Sequence, residues 1–225
     1  MSKEKSDYKL YLEELEKAAK RERKPSLLLH VCCAPCSCQI LKDLAPYFAV
    51  TVYYTNDNIY PFTEYEKREK ELEKYLDLLE REEGIDIRLV VPEYDNKTYA
   101  EHLSPYQDMP EFSERCWICY RWRLEKCFAY AKEKGYEYVA SVMSVSRYKN
   151  AEKINEIGRE LEKRFEGPRY LVSDFKKNKG EENSSRLAKE LDLYRQDYCG
   201  CKASLKESKE RKQRHKEAAY DLRGN

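Results

Sequence analysis

A chain of 225 residues suits one ordinary domain with a single hydrophobic core. Its 43 Lys and Arg almost balance its 42 Asp and Glu, leaving a formal charge of +1, so any nucleic-acid surface must be a local patch. No apolar run approaches the roughly 18 residues of a membrane helix, and the Lys/Glu-rich first 25 residues lack an apolar signal segment, so the expected location is the cytoplasm.

In chain order, residues 7–22 place apolar positions at helical spacing, with Asp7 as candidate N-cap, and read as an amphipathic helix lying on the domain. Leu27 to Val31 reads as a buried strand, followed by a cysteine turn and a helix starting at Ser37 and running to Phe48. Val50 to Thr55 is a second strand, Thr63 caps a helix to Glu83 that stops at Gly84, and Ile85 to Val91 is a third strand. Residues 92–115 carry Pro92, Pro105 and Pro110 and form the least regular stretch, with a short helix near Tyr99 to Leu103. A helix carrying CWICYRWRLEKCFAYAKEKG then ends at Gly135. Tyr138 to Met143 is a fourth strand, Asn150 to Phe165 a helix, Tyr170 to Ser173 a fifth strand, and helices at 184–192 and 202–220 close the chain. Strands alternating with helices imply an α/β fold with a mostly parallel sheet of about five strands, covered by helices on both faces. We expect one domain over 1–225, divided into an N-terminal helical extension (1–25), a catalytic core (26–201) and a basic C-terminal helix (202–225). Cys32 to Cys36 and the residues after Met143 then lie at carboxyl ends of strands, the rim where such sheets place their chemistry.

Nine cysteines in this setting read as ligands or redox groups rather than a disulfide framework, and an odd number cannot pair completely. Three clusters stand out: Cys32, Cys33 and Cys36 after the first strand, Cys116 and Cys119 on a helix, and Cys199-Gly200-Cys201. Cys116 and Cys119 share a helical face, so two thiolates can grip one metal or one cluster. Two centres fit these spacings: tetrahedral zinc on Cys33, Cys36, Cys116 and Cys119, or a [4Fe–4S] cluster on Cys32, Cys33, Cys116 and Cys119 that leaves Cys36 free. Cys199 and Cys201 are too close for comfortable tetrahedral chelation. They can close a small, strained, redox-active ring for which Gly200 supplies the backbone freedom, or stand as free thiols or extra ligands. Cys127 reads as core packing beside Phe128, and Cys38 likewise. Asp197, Tyr198, Asp174 and His30 are the acids near these clusters, His30 equally readable as a satisfied core histidine.

These residues resemble the epoxyqueuosine reductase family of the QueH type. The resemblance is carried by LLHVCCAPCS (28–37), NIYPFTEYEKR (58–68), ERCWICYRWRL (114–124), SVMSVSRYKN (141–150) and DFKKNKGEENSSRLAKELDLYRQDYCGC (174–201), in the family's order. It implies a Rossmann-like fold akin to adenine-nucleotide hydrolases, a [4Fe–4S] cluster on Cys32, Cys33, Cys116 and Cys119, and a redox-active pair Cys199 and Cys201. An additional mononuclear iron is also implied, with Cys36 as candidate ligand. The implied reaction removes the epoxide oxygen of epoxyqueuosine at the wobble position of tRNA, giving queuosine and water, with electrons from an unidentified donor. Asp197 and Tyr198 join the cysteine pair as candidate catalytic residues. Departures from the family pattern fall at Tyr60 (often His), Ser141 to Met143 (a Thr-Thr-Leu-like strand end), Arg147-Tyr148 (Pro-His) and PEFSERC, which lacks paired glycines.

For the tRNA partner, residues 202–216 carry seven Lys or Arg against two Glu. Lys206, Lys209, Arg211, Lys212 and Arg214 are the candidate phosphate contacts, and Tyr60, Tyr65 or Trp117 could stack a splayed base. The alternative function is a zinc-stabilised RNA-binding module without redox activity, which leaves Cys199-Gly200-Cys201 unexplained. A phosphate-cradling nucleotide enzyme is excluded, because cysteines and Pro35 occupy the turn where a Gly-rich loop is needed.

Overall fold

A computed structural model describes residues 6–221 of the chain. Helix α1 (Asp7–Ala19) leads into strand β1 (Ser26–His30), helix α2 (Ala34–Leu44), strand β2 (Ala49–Tyr53), helix α3 (Phe62–Glu83) and strand β3 (Arg88–Val90). Helices α4 (Asn96–Leu103) and α5 (Glu114–Lys134) precede strand β4 (Tyr138–Ser141), helix α6 (Ala151–Phe165), strand β5 (Arg169–Tyr170), and helices α7 (Gly180–Glu190) and α8 (Lys202–Asp221). The five strands are all parallel, in the order β3-β2-β1-β4-β5.

The central strand β1 is a continuous buried run, and its side chains alternate between two cores. Leu27 and Leu29 pack with Leu41, Leu72 and Leu76 of α2 and α3, whereas Leu28 packs with Leu124, Phe128, Ile154 and Leu161 of α5 and α6. The chain reverses its direction of winding between β1 and β4, which opens a crevice at their carboxyl ends. The turn after β1, the polar loop 55–58 after β2 and the single 3-10 turn after β4 (Val142–Val145) meet at this rim.

Several local expectations are corrected. Ser6, not Asp7, caps α1, its side chain accepting from the Lys9 N–H, and Asp7 instead pairs with Arg159 and Asn155 of α6. Helix α2 starts at Ala34 with Pro35 in its first turn, so Cys36 lies on the helix rather than in a loop before it. Pro61 rather than Thr63 stands at the N-cap of α3. Strands β3 and β5 are shorter than expected, because edge strands in a parallel sheet pair on one side only. Gly84 and Gly135 end α3 and α5 in the left-handed conformation, as expected.

Candidate functional site

Strand β1 delivers Cys32 and Cys33 to the rim, and the first turn of α2 brings Cys36 back over them. The three Sγ atoms lie within 4.8 Å of one another, with Cys32 and Cys33 3.9 Å apart. Three thiols this close cannot all ionise independently. Cys32 is favoured as the thiolate through hydrogen bonds from Cys33 and Cys36, aided by the charges of Lys149 and Arg123, while Cys33 is pushed up to about 12 by the bond it gives to Cys32. Gln196 Nε2 donates to Cys33 Sγ at 3.0 Å.

Helix α5 presents the second group. Cys116, Cys119, Arg123 and Cys127 recur at helical spacing, and the stripe runs from the cavity into the core. Cys116 lines the cavity with Cys32, Cys36 and Cys199, whereas Cys119 lies one turn deeper against Tyr99 and Leu103. Burial raises the pKa of both thiols. Cys127 is wholly core, and Cys38 donates to the Ser184 carbonyl between α2 and α7, so both are packing residues as expected.

The segment 198–201 is fastened at every residue. Arg68, 1% exposed, pairs with Glu64 at 2.8 Å and donates to the carbonyls of Cys199 (3.0 Å) and Tyr198 (3.3 Å). The Tyr60 N–H donates to the Gly200 carbonyl at 2.8 Å. Cys201 opens α8: its Sγ accepts from the Ser204 N–H at 3.4 Å, while Ser204 Oγ accepts from the Gly200 N–H at 3.3 Å. Burial, reinforced by Cys199, pushes the Cys201 thiol up to about 11 despite the Ser204 bonds.

Cations gather around these thiols. Arg123 is 1% exposed, and its guanidinium donates to His30 Nε2 (3.1 Å) and Asn56 Oδ1 (2.8 Å), both neutral acceptors. Among the described residues no carboxylate pairs with Arg123 or with Lys149. Burial alone would lower the pKa of each, but Cys119, Cys32 and Cys199 more than reverse this at Arg123, as do Cys199, Cys32 and Cys36 at Lys149. His30 accepts from Arg123 on Nε2, so its Nδ1–H donates to Ser141 Oγ at 2.8 Å. Burial and the Arg123 charge drive its pKa down to about 3. His30 is therefore a satisfied core histidine, neutral at physiological pH.

Asp197 lines the cavity and pairs with Lys212, which holds its carboxyl below the ordinary range. The Tyr198 hydroxyl donates to the Tyr60 carbonyl at 2.6 Å, and burial, with the Glu64 charge, pushes its pKa up to about 12. Asp174 pairs with Lys176, away from the cavity lining. Lys206, Lys209, Arg211, Lys212 and Arg214 are all exposed on α8, and Arg211 also lines the cavity. Of the aromatics proposed to stack a base, Tyr65 is buried, Trp117 lies under Lys153, and Tyr60 lies under Lys202. Arg147 pairs with Glu181 at 2.6 Å.

Motif reading passed over Arg68, Arg123, Gln196 and Arg115, the last buried and paired with Glu207 of α8 at 3.1 Å. Three of these left a signal, a charged residue inside an apolar helical stripe: Arg68 between Tyr65 and Leu72 on α3, and Arg115 and Arg123 in register with the cysteines of α5. Gln196 left none.

The family model for epoxyqueuosine reductase QueH matches residues 27–207. The chain belongs to the QueH family of epoxyqueuosine reductases. Curated members of this QueH family include one from Streptococcus pyogenes, 35% identical over 88% of this chain and 78% of its own length. Another, from Staphylococcus epidermidis, is 35% identical over 97% of this chain and 93% of its own, and one from Thermotoga maritima is 31% identical over 83% and 93%. All three are named epoxyqueuosine reductase QueH, an oxidoreductase, and the zinc-module alternative is not favoured by these relatives. Among the described residues no helix is long and apolar enough to cross a membrane.

Proposed function

We propose that the chain deoxygenates epoxyqueuosine to queuosine at the wobble position of tRNA, the last step of queuosine biosynthesis, using a [4Fe–4S] cluster and the Cys199/Cys201 dithiol at the cavity lined by Cys32, Cys36, Cys116 and Cys199. The observation that carries the cofactor reading is the buried guanidinium of Arg123, which has only neutral hydrogen-bond partners. An uncompensated buried charge costs several kcal/mol, so a site built this way calls for anions beside it. The groups in reach are thiols, Cys119, Cys32 and Cys199, and thiolates bound to iron would supply that charge. The Tyr99 hydroxyl is buried against Cys119 and directed at its sulfur as a donor, an interaction that favours the thiolate.

The donor chemistry, thiols from two neighbouring groups, suits such a cluster. Cys32, Cys33, Cys116 and Cys119 would hold the cluster, with Cys36 left for a mononuclear iron. When bound, the cluster supplies electrons singly. The chain's own thiols supply the balancing stoichiometry: Cys199 and Cys201 release two electrons and two protons as they join in a disulfide, matching an epoxide converted to an alkene and water. The disulfide is then reduced by a donor still to be identified. Tyr198, which stays protonated, is the better proton donor of the two candidate acids, and Asp197 fixes α8 through Lys212. The exposed cations of α8 follow the tRNA backbone, and the reaction places the enzyme in the cytoplasm with its substrate.

Protein purified without oxygen should contain about four acid-labile sulfides and about four to five irons per chain, the fifth being the mononuclear iron, with the brown colour lost in Cys116→Ser. Stoichiometric zinc without sulfide, persisting after reconstitution with iron and sulfide, would overturn the cofactor reading. Cys199→Ser should keep the iron and abolish turnover.

A further inference from the structure

The cavity, about 520 Å³, is of a size that holds a nucleoside. Its buried end carries Cys32 and Cys36, and its outer lining carries Phe112 and Tyr148. These are the two most exposed large hydrophobic side chains of the described protein, at 59% and 67%. They come from different segments, Phe112 from the loop before α5 and Tyr148 from the loop after β4, yet their rings face each other with centroids 6.4 Å apart and planes 33° from parallel. Stacked bases repeat at about 3.4 Å, so one base fits between two faces roughly 7 Å apart. A small opening and levelling of this pair reaches that spacing.

Phe112 also holds its backbone at φ +66°, a left-handed conformation that a bulky residue adopts at a penalty. The Phe112 backbone N–H donates to the Cys116 sulfur, and its ring meets Tyr148, itself exposed. The other aromatics near the mouth are committed, Tyr60 beneath Lys202 and Trp117 beneath Lys153.

We propose that Phe112 and Tyr148 clamp the flat base of the substrate nucleotide between their rings, with the base's substituent reaching inward to the cysteines. The identity of the base rests on the deoxygenation reading, whereas the clamp rests on the two rings. Both are positioning residues, since neither reaches the reacting atoms.

The test uses an anticodon stem-loop RNA carrying 2-aminopurine at the wobble position, whose fluorescence is quenched on stacking, and the same stem-loop carrying epoxyqueuosine for kinetics. The parent protein should quench the fluorophore. Phe112→Gly and Tyr148→Ala should each lose the quenching and raise KM on the order of tenfold, with kcat changed much less, as expected for one lost stacking face. Tyr148→Phe should retain both, and Phe112→Gly should melt no lower than the parent, because glycine suits the backbone there. Unchanged quenching and KM in both ring deletions would overturn the clamp, as would an equal loss in Tyr148→Phe, which would assign the effect to the hydroxyl. If the parent fails to turn over the epoxide while its quenching still requires both rings, the deoxygenation reading falls and the clamp stands.

Discussion

Gly200 fixes the geometry between Cys199 and Cys201, the pair proposed here to be redox-active, and Gly200→Ala tests that directly. Its φ of +133° lies where side-chain-bearing residues are rare, and an added Cβ would lie 3.1 Å from Ile59 Cγ1, 3.2 Å from Arg68 Nη1 and 3.3 Å from Asn58 Nδ2. Those neighbours are almost wholly buried and Arg68 is pinned by Glu64, so they cannot yield freely. Backbone strain of about 1–3 kcal/mol combined with overpacking gives a loss of about 2–4 kcal/mol. In a chain of this size that lowers Tm by roughly 5–15 °C. Gly84→Ala is the matched control: its φ is +65°, nothing lies within 4 Å of the added Cβ, and only the left-handed penalty of about 1–2 kcal/mol applies. Melting followed calorimetrically should rank parent, Gly84→Ala, then Gly200→Ala. Turnover at a temperature where all three are folded should fall on the order of tenfold or more in Gly200→Ala alone, because Cys199 and Cys201 are displaced. A Gly200→Ala protein as stable and as active as the control would refute the claim that this segment is held in one geometry.

Other outcomes follow from the same structure. Arg123→Met should lower iron affinity by about 10–100-fold in a chelator competition, since it removes the charge beside Cys32 and Cys119; full iron retention would remove its assigned role. Glu14 is largely buried and accepts from Lys17 (2.6 Å), Arg169 (3.0 Å) and Tyr138 (3.1 Å). Burial opposes its ionisation, but these bonds prevail and its folded pKa lies below the ordinary 4.5. Its contribution, on the order of 2 kcal/mol, is therefore complete above that pH and disappears as pH falls through the lower folded value, so denaturation midpoints of the parent and Glu14→Gln should converge in acid. Lys209 and Arg214 are exposed and enter no ion pair among the described side chains. Replacing both with Ala should reduce the slope of log affinity for tRNA against log salt by about 1.4–1.8.

Much of this architecture is legible in the residues. The buried run Leu27 to Val31, the stop glycines Gly84 and Gly135 and the alternation of strand and helix suffice for a parallel α/β sheet and for the rim on which Cys32 and Cys33 lie. Helix starts were less legible. The hydrophobic pattern put the helix opening at Ser37, yet Pro35 is preorganised for the first turn, and Ser37 Oγ bonds back to the Cys33 carbonyl at 3.2 Å. That shift of three residues decides that Cys36 joins Cys32 and Cys33 on one side of the turn. The partners of the cationic surround were the least visible feature: Arg68 and Arg123 stand out within their helical stripes, but a contact such as Arg68 to Cys199 spans 131 positions and no local pattern reports it. His30 was ambiguous in sequence because its role is set by Arg123 and Ser141, 93 and 111 positions away.

The measurement that tests the central claim most directly is mass spectrometry of the wobble nucleoside after iron- and sulfide-reconstituted protein is incubated anaerobically with epoxyqueuosine tRNA and a low-potential reductant. The account predicts a nucleoside lighter by one oxygen atom, formed by the parent and not by Cys199→Ser of equal iron content. Unchanged epoxyqueuosine with fully loaded parent protein, or equal conversion by Cys199→Ser, would contradict it.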